Sequence, residues 1–369
     1  MSDTGKVLLV GSIARPDDGW TIEDVFRRTA AALGPFVSML PDGEVGDRSR
    51  WIQFIARHAY YGNPGLISTT RHTYDDWQGK SYDDLWKFKV KDGVTRIHLK
   101  KIGYAEEAKR SYEVFRALRD QGVIPAGTRF LVAYPLTESG VRAFVSSAKD
   151  YEIMWDAYND AVRRELEDLA ASIPHRDLAV QWDLARETMM IEGTQFSFPD
   201  DQLSRVPVHP MERYCCALSE LCPAIPADVW LGLHVCYGSL KHQSGGSPDD
   251  AHAIGIKDLS VGVHMANEGS TAAGRRVDYV HMPVRLSDFS DNHYAPLGRL
   301  KIGSARVYLG VIDPIDGLSA AMQRIKIARR HLADFGIATA CGWGRRPLSE
   351  KISDIIALNR DVAEAAFGA

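Results

Sequence analysis

The sequence predicts an α/β fold, a single (β/α)8 TIM barrel running over residues 1–369. Three observations carry this. Units of strand, loop and helix recur about eight times, with no internal repeat and nothing that reads as a linker. A chain of 369 residues suits one large α/β barrel or two ordinary domains, and the absence of a linker favours the first. No G-x-G-x-x-G follows the first strand, which disfavours an open dinucleotide-binding sheet.

The elements follow in order. Val7 to Ile13 reads as the first strand, closed by Gly11-Ser12. Thr21 is a good N-cap for a helix over Ile22 to Leu33, with Glu23 and Asp24 in its first turn and Gly34-Pro35 at its stop. Phe36 to Leu40 is a short second strand, ending in the polar loop from Pro41 to Arg48. Trp51 to Tyr61 reads as a helix. Residues 62–104 are rich in Tyr, Trp, Asp and Lys and alternate near Trp86 to Val90 and Val94 to Leu99, which predicts an inserted hairpin or lid. Then come helix Ala105 to Gln121, strand Thr128 to Tyr134, and a long helix Tyr151 to Ile173 with apolar residues at helical spacing. Strand Leu178 to Trp182, helix Pro210 to Leu221 and strand Val229 to Val235 follow, then a Gly/Ser/His loop from Gly238 to Pro248. The chain closes with a helical stretch in Ala251 to Glu268, strands Val277 to Met282 and Arg306 to Val311, helix Gly317 to Phe335, strand Gly336 to Cys341 and helix Ser349 to Ala366.

The bulk numbers exclude several classes. Hydrophobic residues at 45% and charged residues at 25% are ordinary for a globular chain. A net charge of -4 supplies no basic field for nucleic acid or an anionic membrane. No apolar run is long enough to span a bilayer. The start, Met1 to Gly5, is polar and short and lacks the layout of a signal peptide. Five cysteines, an odd number in so long a chain, are not a disulfide framework. The expectation is a reducing, cytoplasmic setting in which thiols stay free for metal or chemistry. Cys215, Cys216 and Cys222 lie on or just after a helix and read as small buried fillers.

In a barrel, chemistry collects on the loops at strand C-terminal ends. Those ends carry Ser12, Asp42 and Glu44, Tyr134, Asp183 with Glu187, His234 with Cys236, His281, Asp313 and Cys341. His234 and Cys236 are two apart on a strand, so they share a face. Cys341 ends a second late strand. An imidazole and two thiolates are a donor set that zinc favours, and three protein ligands leave a position open. His281 stands as a fourth donor or as a hydrogen-bond partner of a ligand. Asp183 closes an apolar strand and suits an acid/base role or a substrate ammonium. Arg345 and Arg346, just past Cys341, suit a substrate carboxylate or phosphate.

Taken in order, Val10-Gly11-Ser12, Asp42-Gly43-Glu44, Gln181-Trp182-Asp183, His234-Val235-Cys236-Tyr237, Leu309 to Asp313 and Cys341-Gly342 resemble the catalytic domain of cobalamin-independent methionine synthase and its relatives in the uroporphyrinogen decarboxylase/methionine synthase-like superfamily. The resemblance runs nearly end to end over one barrel. It implies zinc at His234, Cys236 and Cys341, and a substrate thiol held there as thiolate to attack an alkyl carbon. It also implies that Ser12, Glu44 and Asp183 hold the amino-acid part of the substrate. Two departures shape it. The family's glutamate ligand has no counterpart in Tyr279-Val280-His281-Met282-Pro283, which leaves a His/Cys/Cys set similar to the coenzyme M-dependent alkyltransferases. The aromatic segment that packs a folate pterin has no counterpart around Val132 to Pro135.

The expected function is a zinc-dependent methyl- or alkyltransferase acting on a small-molecule thiol and an alkyl donor. Asp183 and His281 are its candidate catalytic groups. Ser12, Asp42, Glu44, Tyr134, Arg345 and Arg346 are its candidate substrate contacts. The alternative is a zinc-dependent lyase or hydrolase, or a metal-free decarboxylase of a small acid, with Asp183, His281 and His293 as acid/base groups.

Overall fold

The computed structural model of the chain describes residues 5–69, 86–192, 205–238, 255–346 and 349–368. After β1 (Met39–Pro41) comes a small antiparallel pair, β2 (Leu66–Ser68) and β3 (Phe88–Val90). Six further strands follow: β4 (Arg129–Pro135), β5 (Leu178–Leu184), β6 (Trp230–Val235), β7 (Tyr279–Pro283), β8 (Arg306–Ile312) and β9 (Gly336–Thr339). These six and β1 form one seven-stranded sheet in the order β1-β4-β5-β6-β7-β8-β9, with every pair parallel. Apart from the inserted pair, spatial order is chain order, as alternating strands and helices dictate.

The described α-helices are α1 (Ile22–Leu33), α2 (Ile52–Ile55), α3 (Tyr104–Asp120), α4 (Thr137–Val141), α5 (Ala148–Ser172), α6 (Ala185–Ile191), α7 (Pro210–Leu221), α8 (Ser260–Ala272), α9 (Asp291–Tyr294), α10 (Gly317–Ala328) and α11 (Ile352–Phe367). No described helix is long and apolar enough to cross a membrane. Thr21 caps α1 as expected: its Oγ1 accepts from Asp24 N–H at 3.2 Å, and Asp24 Oδ2 accepts from Thr21 N–H at 3.1 Å.

The segment around residues 6–10 decides the sheet's shape. Lys6 and Val7 N–H donate to the Phe36 carbonyl, just before β1, at 2.7 and 3.0 Å. On the other side Leu8 N–H donates to Ile337 in β9 at 3.0 Å, and Ile337 N–H returns a bond to Lys6 at 2.9 Å. The sheet is therefore curled until both its edges flank one stretch of chain. Alternation then divides the core. A large cluster lies between strands and helices. A small separate one (Leu8, Val10, Met39, Leu131, Ala179, Trp230, Tyr279, Tyr308 and Ala338) contains no helix residue and fills the concave face. Gly232 and Gly336 leave the space taken by the rings of Tyr279 and Tyr308.

Several boundaries differ from expectation. The strand expected over Val7 to Ile13 makes only an isolated bridge at Val7, because Gly11 (φ 133°) and Ser12 (φ 45°) turn the chain away. The helix expected over Trp51 to Tyr61 is the short α2 continued by a wider π-helical turn, Ala56–Tyr60. The helix expected to reach Phe335 ends at Ala328. α4 and α6 follow directly on β4 and β5 and are too short for a periodic signal. Of the helical stretch expected in Ala251 to Glu268, residues 251–254 lie outside the described residues, and the described helix begins at Ser260. The loop beyond Gly238 and part of the expected lid lie outside the described residues.

Candidate metal centre

Asp183, His234 and His281 stand in one register row across β5, β6 and β7. Each lies two or four residues beyond a member of the concave-face cluster (Ala179, Trp230, Tyr279), so all three point to the inner face at the C-terminal rim. Cys236 lies one residue beyond β6 and Cys341 two beyond β9. One ligand atom from each of His234, Cys236 and Cys341 lies within 4.8 Å of the others. The two sulfurs are 4.0 Å apart. Tetrahedral zinc holds two thiolates about 3.8 Å apart, given Zn–S bonds of about 2.3 Å. His234 and Cys236 are buried and Cys341 is half-buried. Nε2 of His234 is buried without a hydrogen-bond partner. An unpartnered imidazole nitrogen beside two thiols fits a soft, thiophilic metal.

The glycine after Cys341 has a geometric reason. A Cβ on Gly342 would collide with the backbone of Gly11 and lie 2.8 Å from the Ser12 side chain. Gly344 N–H donates to the Ser12 carbonyl. The Gly11-Ser12 and Cys341-Gly342 motifs, distant in the chain, are therefore in contact.

The electrostatics follow from burial. Burial alone would lower the His234 pKa, but the Cys341 thiol and the Asp183 carboxylate turn the shift upward. The neighbouring Cys341 thiol, then burial, push the Cys236 thiol well up. His281 is held well below the usual histidine range, first by burial and then by His234. Its ring is engaged at both nitrogens: Nδ1 lies 2.7 Å from Nδ1 of His234, and Nε2 lies 3.1 Å from the Thr339 carbonyl. Asp183 is half-buried, yet desolvation by the surrounding protein lifts its pKa to about 7, against the pull of His234. Gln181 fixes Asp183 in place: its Nε2 donates to Asp183 Oδ1 at 2.9 Å and to the Val10 carbonyl at 2.8 Å, and its Oε1 accepts from Tyr279 OH at 2.9 Å.

A second polar group occupies the end of β1. Glu44 Oε2 accepts from Ser12 N–H at 2.8 Å. Asp42 Oδ1 accepts from Glu44 N–H at 3.2 Å. The buried Arg48 guanidinium lies 3.7 Å from Asp42 and 3.8 Å from Glu44, over the Tyr104 ring at 3.5 Å. Burial raises Asp42 to about 7, against Arg48. Ser12 (φ 45°) and Glu44 (φ 42°) are two of three described non-glycine residues with left-handed backbone, the third being Trp51. Strain of this kind is held at sites that the surrounding structure over-determines.

Not every expected contact joins these groups. Tyr134 has no exposure and belongs to the cluster between sheet and helices. Its OH is 3.4 Å from Glu165. The alternation of β4 sends it away from the concave face, which corrects its assignment as a substrate contact. Arg346 is likewise a correction. It is buried; Nε donates to the Glu350 carbonyl at 2.9 Å and Nη1 to that of Trp343 at 3.2 Å, and Nη2 pairs with Asp18. It ties the residues after β9 to the loop before α1. Arg345 is half-buried. His293 is held by backbone, accepting from Arg285 N–H at 3.0 Å and lying 3.4 Å from the Lys257 carbonyl, so it pins two loops instead of serving as an acid/base group.

The sequence assigns no role to Gln181, Tyr279 or the Thr339 carbonyl, and it offers Arg48 to an anionic group, whereas the structure sets it against Asp42 and Glu44. Gln181 was open to discovery, because it lies two residues before Asp183 on the same strand face. Arg48 reads as solvated in a polar loop, and a backbone carbonyl leaves no trace in residue type.

Fold and site together define a curled, parallel α/β sheet with a His/Cys/Cys cluster at its C-terminal rim. Two solved structures share that fold. One is a candidate vitamin-B12-independent methionine synthase from Listeria monocytogenes, at TM-score 0.56 and 14% identity over 98% of this chain and 97% of that one. The other is a B12-independent methionine synthase from Shewanella sp. W3-18-1 in complex with selenomethionine, at TM-score 0.56 and 15% identity over 93% of this chain and 88% of that one. The resemblance to methionine synthase seen in the motifs is thus present in the fold. No protein-family model matches the chain, and no curated protein matches it.

Proposed function

We propose that this chain is a zinc-dependent transferase in which a thiol substrate accepts a methyl or other alkyl group from a small-molecule donor. The observation that carries the reading is the convergence of His234, Cys236 and Cys341 within 4.8 Å, with the His234 Nε2 unpartnered. Zinc, when bound there, lowers the pKa of a thiol and leaves its sulfur nucleophilic at neutral pH. Cys341, half-buried, marks the side from which the thiol enters. In the reaction an S–C bond forms, the bond from that carbon to its leaving group breaks, and the thiol proton must be released. Asp183, with a pKa near 7, takes up or returns a proton. Glu44 and Ser12 orient the polar part of the thiol substrate, and Arg48 lies against both Asp42 and Glu44. Arg345 anchors a carboxylate on the donor side.

The same reading takes the curled sheet and the 7–10 segment as the eight staves of a (β/α)8 barrel, with the insertion that carries β2 and β3 as a hairpin or lid. Five cysteines without a disulfide suit a reducing compartment, and we place the protein in the cytoplasm.

Zinc-edge absorption with and without a soaked thiol tests the mechanism. A new sulfur neighbour on adding thiol is expected. An unchanged sulfur count on a zinc-loaded protein would point instead to water or carbonyl activation. The reading is abandoned if the purified protein carries no zinc and Cys236→Ala retains activity.

A further inference from the structure

We infer that His281 is the positioning residue of the metal centre: its Nδ1 accepts the Nδ1–H of His234, fixing His234 with Nε2 toward the metal, and it contributes no ligand of its own. The inference rests on reading the His/Cys/Cys cluster as a metal site, and not on alkyl transfer.

The assignment comes from hydrogen-bond direction. The Thr339 carbonyl can only accept, so the 3.1 Å contact places a proton on His281 Nε2. A neutral imidazole protonated at Nε2 has a lone pair at Nδ1. The 2.7 Å contact between the two Nδ1 atoms needs one proton between them, and His234 Nδ1 supplies it. The remaining ring nitrogen, His234 Nε2, is the buried atom without a hydrogen-bond partner, and it belongs to the residue grouped with Cys236 and Cys341. The opposite polarity would put the Nδ1 lone pair on His234 and a proton on its Nε2, which could not bind metal. The register that sets His234 opposite His281 makes the relay possible. The relay runs from the β9 backbone to β7, two strands away, and on to the adjacent β6. Both His281 nitrogens are engaged in it, so the protein presents three donors and leaves the fourth position to a substrate.

The test uses the full chain in wild-type, His281→Phe and His281→Gln forms. Zinc affinity is read by chelator competition. His281→Phe, which removes the acceptor, should bind zinc about 10–100-fold more weakly. His281→Gln, which can accept from His234 and donate to Thr339, should recover most of that loss. A folded His281→Phe with wild-type zinc affinity overturns the proposal, as does loss of a nitrogen neighbour at the zinc edge in His281→Gln. Should His281→Phe fail to fold, histidine ¹⁵N spectra of the wild-type chain decide, with His234 identified by the signal lost in His234→Gln. A proton on His234 Nδ1, with or without zinc, sustains the relay; a bare Nδ1 refutes it. A wild-type protein that binds no zinc defeats both the transferase reading and the positioning role of His281, whereas one that binds zinc without taking up a thiol defeats the transferase reading alone.

Discussion

At the ends of β6 and β9, an imidazole nitrogen and two sulfurs converge. At the end of β1, two carboxylates converge on Arg48. Both groups are polar and lie in largely buried surroundings, but they are balanced differently. The carboxylate side carries its own counter-charge, held by the Tyr104 ring and the Ala133 carbonyl at 3.2 Å. The sulfur side has a donor atom with no hydrogen-bond partner. Burying polar groups is tolerable only when they are paired. In charge, the carboxylate side meets that condition within the chain, although Asp42 Oδ2 and Arg48 Nε and Nη1 lack hydrogen-bond partners; on our reading the sulfur side meets it by taking up a metal.

The largest effect should come from the sulfur side. Cys236→Ser should lose nearly all bound zinc, measured by metal analysis after dialysis, and with it transferase activity. Retention of zinc at wild-type stoichiometry would break the contrast. On the carboxylate side, Arg48→Met leaves Asp42 and Glu44 without their cation and should destabilise the fold by about 3–5 kcal/mol in urea unfolding. Zinc stoichiometry should be unchanged in the folded fraction.

Asp183 sits in the row with His234 and sharpens the comparison through pH. Its folded-state pKa is raised from 3.8 to about 7, chiefly by burial. The folded protein therefore holds a proton that the unfolded chain has released across that window, and ionising Asp183 disfavours the fold as pH rises through it. In chelator-treated protein, Asp183→Asn should gain stability relative to wild type between about pH 4 and pH 7. A flat difference would mean that Asp183 is solvated. The smallest effect is expected at Tyr134→Phe. This change removes one long hydrogen bond to Glu165 and should cost about 0.5–1.5 kcal/mol, with KM unchanged. A raised KM would return Tyr134 to the substrate side.

Local pattern made much of this legible in the sequence. α7 spans Pro210–Leu221, the range its composition predicts. The long α5 was announced by apolar residues at helical spacing, and the Thr21 cap by its side chain. His234 and Cys236 share a face because a strand repeats every two residues. Wherever period and capping decide, the sequence alone is sufficient.

Other features depended on partners far away in the chain. Arg346 looked like an anion anchor until the loop before α1 brought Asp18 against it. Tyr134 looked like a rim residue until the parity of β4 turned it toward α5. The seven-residue strand expected at the start shrank to one bridge because Gly11 and Ser12 bend under contact with Gly342 and Gly344. His281 could have been a ligand or a ligand's partner by residue type. The Thr339 carbonyl, 58 residues on, sets the direction of its hydrogen bonds. Residue types and spacing determined which donors reach the rim. The tertiary structure decided which of them keep a lone pair, because a hydrogen bond's direction is set by what lies on its far side.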